Sequence, residues 1–405
     1  MANSIDTTLL LTNGGHVSPY HGAINAIVNR AAYEGSKVIG IDRGWLGVKK
    51  REGMILRPEN VRWWSNRAGS LLRNSRDKAT LDDLLAIMDP EHTGLIPFGG
   101  EDTLGVANSI DKDYFDRTGK HLPIVGWPKT MDNDLSGTDF TLGYPTFVDV
   151  ASQLTRNAFH NAFTNNGVHF VVAFGRNTDW VVAGTAHYGH ADLVIGGEHE
   201  YTLQEVITKV QEAYEKNMRL YNGRGFAVVV VAEGVKIKGL EPYTPKLAGE
   251  KVDLDDFGHP KLKPKIVALA LENAVKGNTK LKPYSEVVEY DGRDSPPIAI
   301  DLDAARSSGE AAYDALINGR YGVVAAIRVD ERTGKLNVVE VPLQEAVVVR
   351  KARPEGMIDY TNMQVTPEFV NYARRFLGQR IPESQARPPR ESIPDLIDLT
   401  VRVRA

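Results

Sequence analysis

Short runs of consecutive apolar, mostly β-branched residues recur along the chain, separated by longer stretches whose apolar positions return every three or four residues. The short runs predict strands over Thr7–Leu11, Lys37–Ile41, Leu95–Phe98, Ile124–Val125, His169–Phe174, Leu193–Ile195, Phe226–Ala232 and Gly322–Ile327. The longer stretches predict helices over Gly22–Tyr33, Leu81–Met88, Thr103–Ile110, Pro145–Phe163, Leu203–Asn217, Ile266–Val275 and Gly309–Ile317. Regular alternation of strand and helix implies an α/β protein with mainly parallel sheets. Sheets of that kind bind ligands beyond the carboxyl ends of their strands.

Glycines and charged residues gather at those ends. Gly14-Gly15 follows the first strand and Gly99-Gly100-Glu101-Asp102 the third. Pro128–Asp134 lies beyond the strand ending near Val125, Gly175-Arg176 follows Phe174, and Glu233-Gly234 follows Ala232. Five such junctions point to one cleft built from several strand ends. Lys236–Lys265, rich in Lys, Pro, Gly and Asp, reads as an insertion or mobile loop. Val329–Glu340 reads as a hairpin turning at Thr333-Gly334. The proline-rich tail after Arg380 reads as an arm docked on this chain or a neighbour.

Composition narrows the chemistry. The 405 residues include no cysteine, which excludes disulfides, thiol nucleophiles and Cys-ligated metals. A formal net charge of −4 argues against a general nucleic-acid binder. No stretch approaches the roughly 20 apolar residues of a membrane span. Met1–Thr12 lacks the basic and apolar regions of a signal peptide, so the expected location is cytoplasmic.

The strongest motif is Pro128-Lys129-Thr130-Met131-Asp132-Asn133-Asp134. Asp132 suits a general base for a hydroxyl nucleophile, Asp134 suits a hydrated metal, and Lys129 suits a phosphate; phosphoryl transfer needs these parts. The second is Gly99–Gly105, where two glycines let a phosphate approach the backbone and Thr103 is placed to cap the following helix. Glu101 is a candidate Mg²⁺ ligand, since Mg²⁺ takes one or two carboxylates plus phosphate oxygens. Taken singly, each motif also fits an ordinary polar turn.

In this order, the motifs resemble those of the phosphofructokinase family. The resemblance spans about residues 5–320: Gly14-Gly15, then Gly69…Ser75-Arg76, Gly99-Gly100-Glu101, Lys129–Asp134, Gly175-Arg176, Ala232-Glu233-Gly234 and Tyr290-Asp291-Gly292-Arg293. It implies two doubly wound α/β/α lobes with mainly parallel sheets. The larger, donor- and Mg-binding lobe would comprise residues 1–143 and about 292–318. The smaller, acceptor-binding lobe would comprise 144–291 and about 319–380, with insertion 236–265; residues 381–405 form the arm. It implies that Asp132 is the base, with Lys129, Thr130 and Asp134 beside it, and that Glu101 serves Mg²⁺. It places the donor among Gly14, Gly15, Arg76, Gly100, Asp102 and Thr103, and the acceptor among Gly175, Arg176, Glu233, Tyr290 and Arg293. A homodimer or homotetramer is implied as well.

Asp102 and Lys129 resemble the pyrophosphate-using branch of the family. A carboxylate at 102 fills and repels where a nucleotide's α-phosphate would lie, and Lys129 adds a cation for a short donor; ATP is the alternative donor. The first loop departs from the family pattern, being longer and carrying His16 and His21, which reads either as donor contacts or as neutral loop histidines. The acceptor side departs further. Positions where the family places phosphate-binding arginines hold Gly167 (or His169) and Tyr284, and a phosphate-binding histidine is replaced by Tyr290. The leading expectation is therefore Mg-dependent transfer from pyrophosphate to fructose 6-phosphate, giving the 1,6-bisphosphate. The alternatives are the same chemistry on another sugar, a heptulose phosphate or a nucleoside, and a non-catalytic sugar-phosphate-binding subunit.

Overall fold

The computed structural model describes residues 5–175, 178–245, 263–348 and 356–395. The chain divides into two compact units. The first comprises Met1–Phe147, Tyr290–Lys351 and Arg375–Leu377; the second comprises Val148–Glu289, Ala352–Arg374 and Gly378–Ala405.

The first unit is built on a sheet running, edge to edge, Leu336–Pro342, Val323–Val329, Val125–Thr130, Thr93–Gly99, Thr7–Thr12, Lys37–Ile41 and Gly53–Leu56. Its inner pairings are parallel, while the outermost strand on each side is antiparallel. Alternation within the first strand sends Leu9 and Leu11 into one core, with Trp45, Leu81, Leu84, Leu104 and Ile110. The other face is covered by helices Tyr20–Tyr33 and Ala299–Ile317. These two approach closely because Gly309 lies against the Ala23 backbone, where a Cβ would stand about 2.9 Å from Ala23 Cα.

The second unit carries a wholly parallel sheet in the order Lys282–Val288, Gly167–Ala173, Ala227–Ala232, Leu193–Ile195. Val168, Phe170 and Val172 face helices Leu203–Leu220 and Pro264–Asn278 in one apolar cluster. The tail docks on this unit. Arg387 reaches Asp192, and Asn222 and Arg224 donate to the carbonyls of Ile393 and Pro394.

The expected α/β class with a mainly parallel sheet is what the chain adopts. Three expectations change. The strand expected over Ile124–Val125 runs on to Thr130, because Gly99 pairs with Pro128 and Lys129 with Leu142. Residues 319–348 lie in the first unit rather than with the acceptor lobe, since Val323 and Val324 pair with Val125 and Gly126. The insertion begins with order: Lys236–Lys238 pairs with Glu200–Thr202, and a short 3₁₀ turn follows at Glu241–Tyr243. Its residues 246–262 lie outside the described residues. The hairpin turns at Gly334, whose φ of +68° suits glycine. Among the described residues, no helix is long and apolar enough to cross a membrane.

Candidate active site

Three adjacent parallel strands of the first unit end side by side: Thr7–Thr12, Thr93–Gly99 and Val125–Thr130. Each delivers one of the motifs.

After the first strand, Asn13 is buried and its side-chain oxygen accepts from Ser75 Oγ at 3.0 Å and Trp45 N at 3.4 Å. Gly14 takes φ +73° and donates its N–H to Ser75 O at 2.8 Å, while Asn74 donates to Gly14 O at 2.8 Å. The loop is held from below by Lys129. Its Nζ donates to Asn13 O at 2.9 Å and to Gly15 O at 2.6 Å, and lies 5.5 Å from the centre of the Tyr20 ring. A lysine only 4% exposed is costly unless paired, and two carbonyls and an aromatic face satisfy it here.

At the second strand end, the helix Glu101–Thr118 begins at once, with Gly100 as its N-cap residue. Glu101 and Asp102 occupy the first turn, where carboxylates complement the helix dipole. Thr103 is therefore not the cap. It is buried within the first turn, its side chain packed on Gly99 so closely that a Cβ there would overlap it. The glycine pair lets the helix start two residues earlier than its apolar pattern indicates.

At the third, Thr130 Oγ donates to Asp132 Oδ2 at 3.1 Å and accepts from Asp132 N at 3.1 Å. Asn133 takes φ +56° and accepts Thr141 N at 2.9 Å, so the chain turns tightly between the two aspartates. Asp132, Asn133 and Asp134 are all buried.

Arg293 also belongs to this unit. It donates to His16 O at 3.2 Å and packs so tightly on Gly15 that a Cβ there would overlap the guanidinium. His16 Nε2 meets Asp294 at 2.5 Å, and its ring stacks on Tyr290 with centroids 6.3 Å apart. Tyr290 itself is 57% exposed, and Arg76 is exposed on the segment after Ser75. His21 is no donor contact. It is buried, with Nδ1 donating to Arg67 O at 2.7 Å and Nε2 accepting Leu71 N at 2.9 Å. Burial holds its pKa below the ordinary value, as befits a neutral staple.

In the second unit, Gly175 N donates to Glu233 Oε1 at 3.0 Å across two adjacent strand ends. Arg176 lies outside the described residues. His169 and Tyr284 stand opposite each other on neighbouring strands, rings 6.4 Å apart. Burial lowers the His169 pKa to about 4, and neither ring nitrogen has a hydrogen-bond partner among the described residues. One buried carboxylate was not singled out by sequence: Asp179, wholly enclosed, bonded to Gly197, Glu198 and Tyr360.

Among the described residues, no three acidic or histidine groups converge as a preformed metal cage. That donor set still fits Mg²⁺, which takes few protein carboxylates when phosphate oxygens and water complete its shell. Glu101 opens the helix after the second strand end, and Asp134 lies buried beyond the third.

Glycine loops, a buried lysine and carboxylates gather at the parallel strand ends of an α/β sheet, the place where sheets of this class bind their ligands. The chain belongs to the phosphofructokinase family, whose description "Phosphofructokinase" matches residues 7–316. It is accordingly an enzyme of the phosphofructokinase type. A pyrophosphate–fructose 6-phosphate 1-phosphotransferase of Dictyoglomus thermophilum is 30% identical, covering 80% of this chain and 89% of the relative. An ATP-dependent 6-phosphofructokinase of Streptomyces coelicolor is 29% identical, covering 86% and 97%. The crystal structure of a pyrophosphate-dependent phosphofructokinase from Marinobacter aquaeolei superposes with a TM-score of 0.77, at 20% identity and 93% coverage of both chains.

Proposed function

We propose that this phosphotransferase moves a phosphoryl group from pyrophosphate to fructose 6-phosphate, giving fructose 1,6-bisphosphate. The observation that carries the donor assignment is the buried Lys129 ammonium bonded beneath Gly15. Relatives named for pyrophosphate and for ATP are about equally similar, so overall identity does not separate the donors. Lys129 and Asp102 favour pyrophosphate. The lysine supplies a fixed positive charge at the loop that would receive a short, highly charged donor. The exposed Asp102 carboxylate at the start of the helix would repel the extra phosphate of a nucleotide.

In this reading Asp132 takes the proton from the acceptor hydroxyl, with Thr130 fixing its carboxylate through Oδ2. Gly15 and Gly100 would offer backbone amides and Thr103 its hydroxyl to the phosphoryl donor, Gly14 shapes the loop with its own amide bound to Ser75 O, and Arg76 adds charge. Glu101, with Asp134, would hold Mg²⁺, which when bound neutralises developing charge on the phosphates. Gly175, Arg176, Glu233, Tyr290 and Arg293 receive the acceptor. The same reading carries a homodimer or homotetramer and a cytoplasmic location.

His169 and Tyr284 favour a second reading, in which the acceptor is another sugar or a nucleoside. An enclosed, neutral imidazole and a tyrosine cannot replace arginine forks on a phosphate. Phosphorus NMR of the purified protein with Mg²⁺, pyrophosphate or ATP, and an acceptor panel tests both. Formation of fructose 1,6-bisphosphate from pyrophosphate is expected. Turnover of a different acceptor only would replace the first reading by the second, and Asp132→Asn should abolish either activity.

A further inference from the structure

Gly175 lies just beyond strand Gly167–Ala173, and Asp179 directly precedes helix Trp180–Gly189. Gly175 is tied down by Glu233, which accepts its N–H, and Gly175 O accepts from Thr178 N at 3.2 Å and Thr178 Oγ at 3.1 Å. Asp179 follows Thr178. An aspartate there ordinarily accepts amides of its own first turn, but this one makes no such bond. The carboxylate turns away into the second unit's interior. Oδ1 accepts from Gly197 N at 2.6 Å and from Glu198 N at 3.3 Å, and Oδ2 accepts from the Tyr360 hydroxyl at 2.8 Å. Asp179 N in turn donates to Glu198 Oε1 at 3.0 Å.

Two neighbours are shaped around this carboxylate. A Cβ on Gly196 would overlap it, so the turn after strand Leu193–Ile195 closes only because that residue is glycine. Tyr360 is held at its other face by a flat stack on His199, with centroids 4.7 Å apart and planes 11° apart. Tyr360 lies 181 residues from Asp179 and beyond the 7–316 that match the family. A fully enclosed carboxylate is retained at a desolvation cost. Here it joins a ligand loop, a neighbouring strand end and the C-terminal segment at one point.

We infer that Asp179 and Tyr360 are positioning residues that hold Thr178, and through it Gly175, in place, so that the C-terminal segment supports the acceptor site at Gly175. This rests on the reading of Gly175 as acceptor-binding. Tyr360 acts through Asp179, and Asp179 through its neighbour Thr178.

The test uses the full-length enzyme with Tyr360→Phe and Asp179→Asn, both close in shape to the native side chains. Two readouts are taken: KM for each substrate, and amide hydrogen exchange over residues 175–179 and 196–198. Tyr360→Phe is expected to raise the acceptor KM about ten-fold, the scale of one charge-assisted hydrogen bond, and to leave the pyrophosphate KM within about two-fold. Exchange in both segments should quicken in both variants. Unchanged exchange overturns the inference whatever the turnover. Faster exchange with equal rises in both KM values also overturns it, since that is what a general loss of structure produces. If the wild type turns over neither substrate pair, the proposed function fails, and the exchange readout still decides the latch.

Discussion

Arg293 and Gly15 are in direct van der Waals apposition, the guanidinium occupying the space a side chain at residue 15 would need. Lys129 meets the same glycine from another side through its carbonyl. A loop from the first strand is thus pinned between two cations that enter the chain 114 and 278 residues later. The glycine is required for this close approach rather than for an unusual backbone angle.

Gly15→Ala should therefore act through Arg293. The new methyl group pushes the guanidinium off the loop without straining the residue's own backbone. A displacement of about 1 Å at a phosphoryl-transfer site costs roughly 100-fold in rate. Steady-state kinetics should show kcat/KM reduced by about that factor, while the melting temperature stays close to that of the wild type. An unaltered rate would mean that the Arg293 position is unimportant.

Donor choice is expected to follow residues 102 and 129. Asp102→Gly removes the carboxylate at the helix start, and Lys129→Gly removes the ammonium under Gly15. The double variant should lose pyrophosphate turnover by about 100-fold or more, on the scale of a lost charge-stabilising group, and gain turnover with ATP. Parallel assays with the two donors at equal acceptor concentration measure the change.

The motifs were legible because their chemistry is local. Glycine pairs and carboxylates beyond apolar runs mark strand ends in any parallel sheet, and Gly14, Gly100 and Asp132 lie where that rule puts them. Elements that break the pattern were not legible. The helix Trp180–Gly189 is apolar on nearly every side, so it has no 3.6-residue stripe. The edge strand Lys282–Val288 is mostly polar and has no apolar run. Asp179 precedes a helix that the pattern does not show, and its partner Tyr360 is far along the chain. The return of residues 323–329 to the first unit's sheet is a matter of topology, which periodicity does not encode.

Asp301 predicts a pH dependence of stability. It is fully buried and accepts from Gly143 N at 3.0 Å, Thr146 N at 3.3 Å and Thr146 Oγ at 2.6 Å. Burial outweighs these bonds and raises its pKa from 3.8 to about 6. The folded state thus binds a proton that the unfolded state has released between about pH 4 and pH 6. Its contribution to stability is full below pH 4 and is lost as the pH rises through 6. A shift of this size corresponds to up to about 3 kcal/mol. Asp179, raised to about 6 for the same reason, acts in the same direction. His169, lowered to about 4 by burial, acts oppositely, favouring the fold above pH 6.5 and losing that contribution as the pH falls through 4. Denaturant unfolding of the wild type and Asp301→Asn between pH 4 and 8 isolates the first effect. Stability of the wild type relative to the variant should fall across pH 4–6 and then level off.

Arg387 fastens the tail, and its removal should be costly. The guanidinium grips both oxygens of Asp192, at 2.9 and 3.1 Å, and donates to His190 O at 2.5 Å. Its charged centre stands 5.4 Å from each of the Phe159 and Phe226 ring centres. The side chain is only 7% exposed, so water cannot replace what a truncation removes. Arg387→Ala leaves the Asp192 carboxylate, among the described residues, with the Val228 amide and the Asn217 side chain, at 2.8 and 3.0 Å, and opens a void beside the two phenylalanines. Breaking a buried pair from one side costs about 3–5 kcal/mol. Arg387→Lys keeps the charge but loses the fork, so its cost should be smaller than that of alanine. Equilibrium unfolding in urea measures both. Equal stability of Arg387→Ala and the wild type would show that the tail is not part of the second unit's cooperative core.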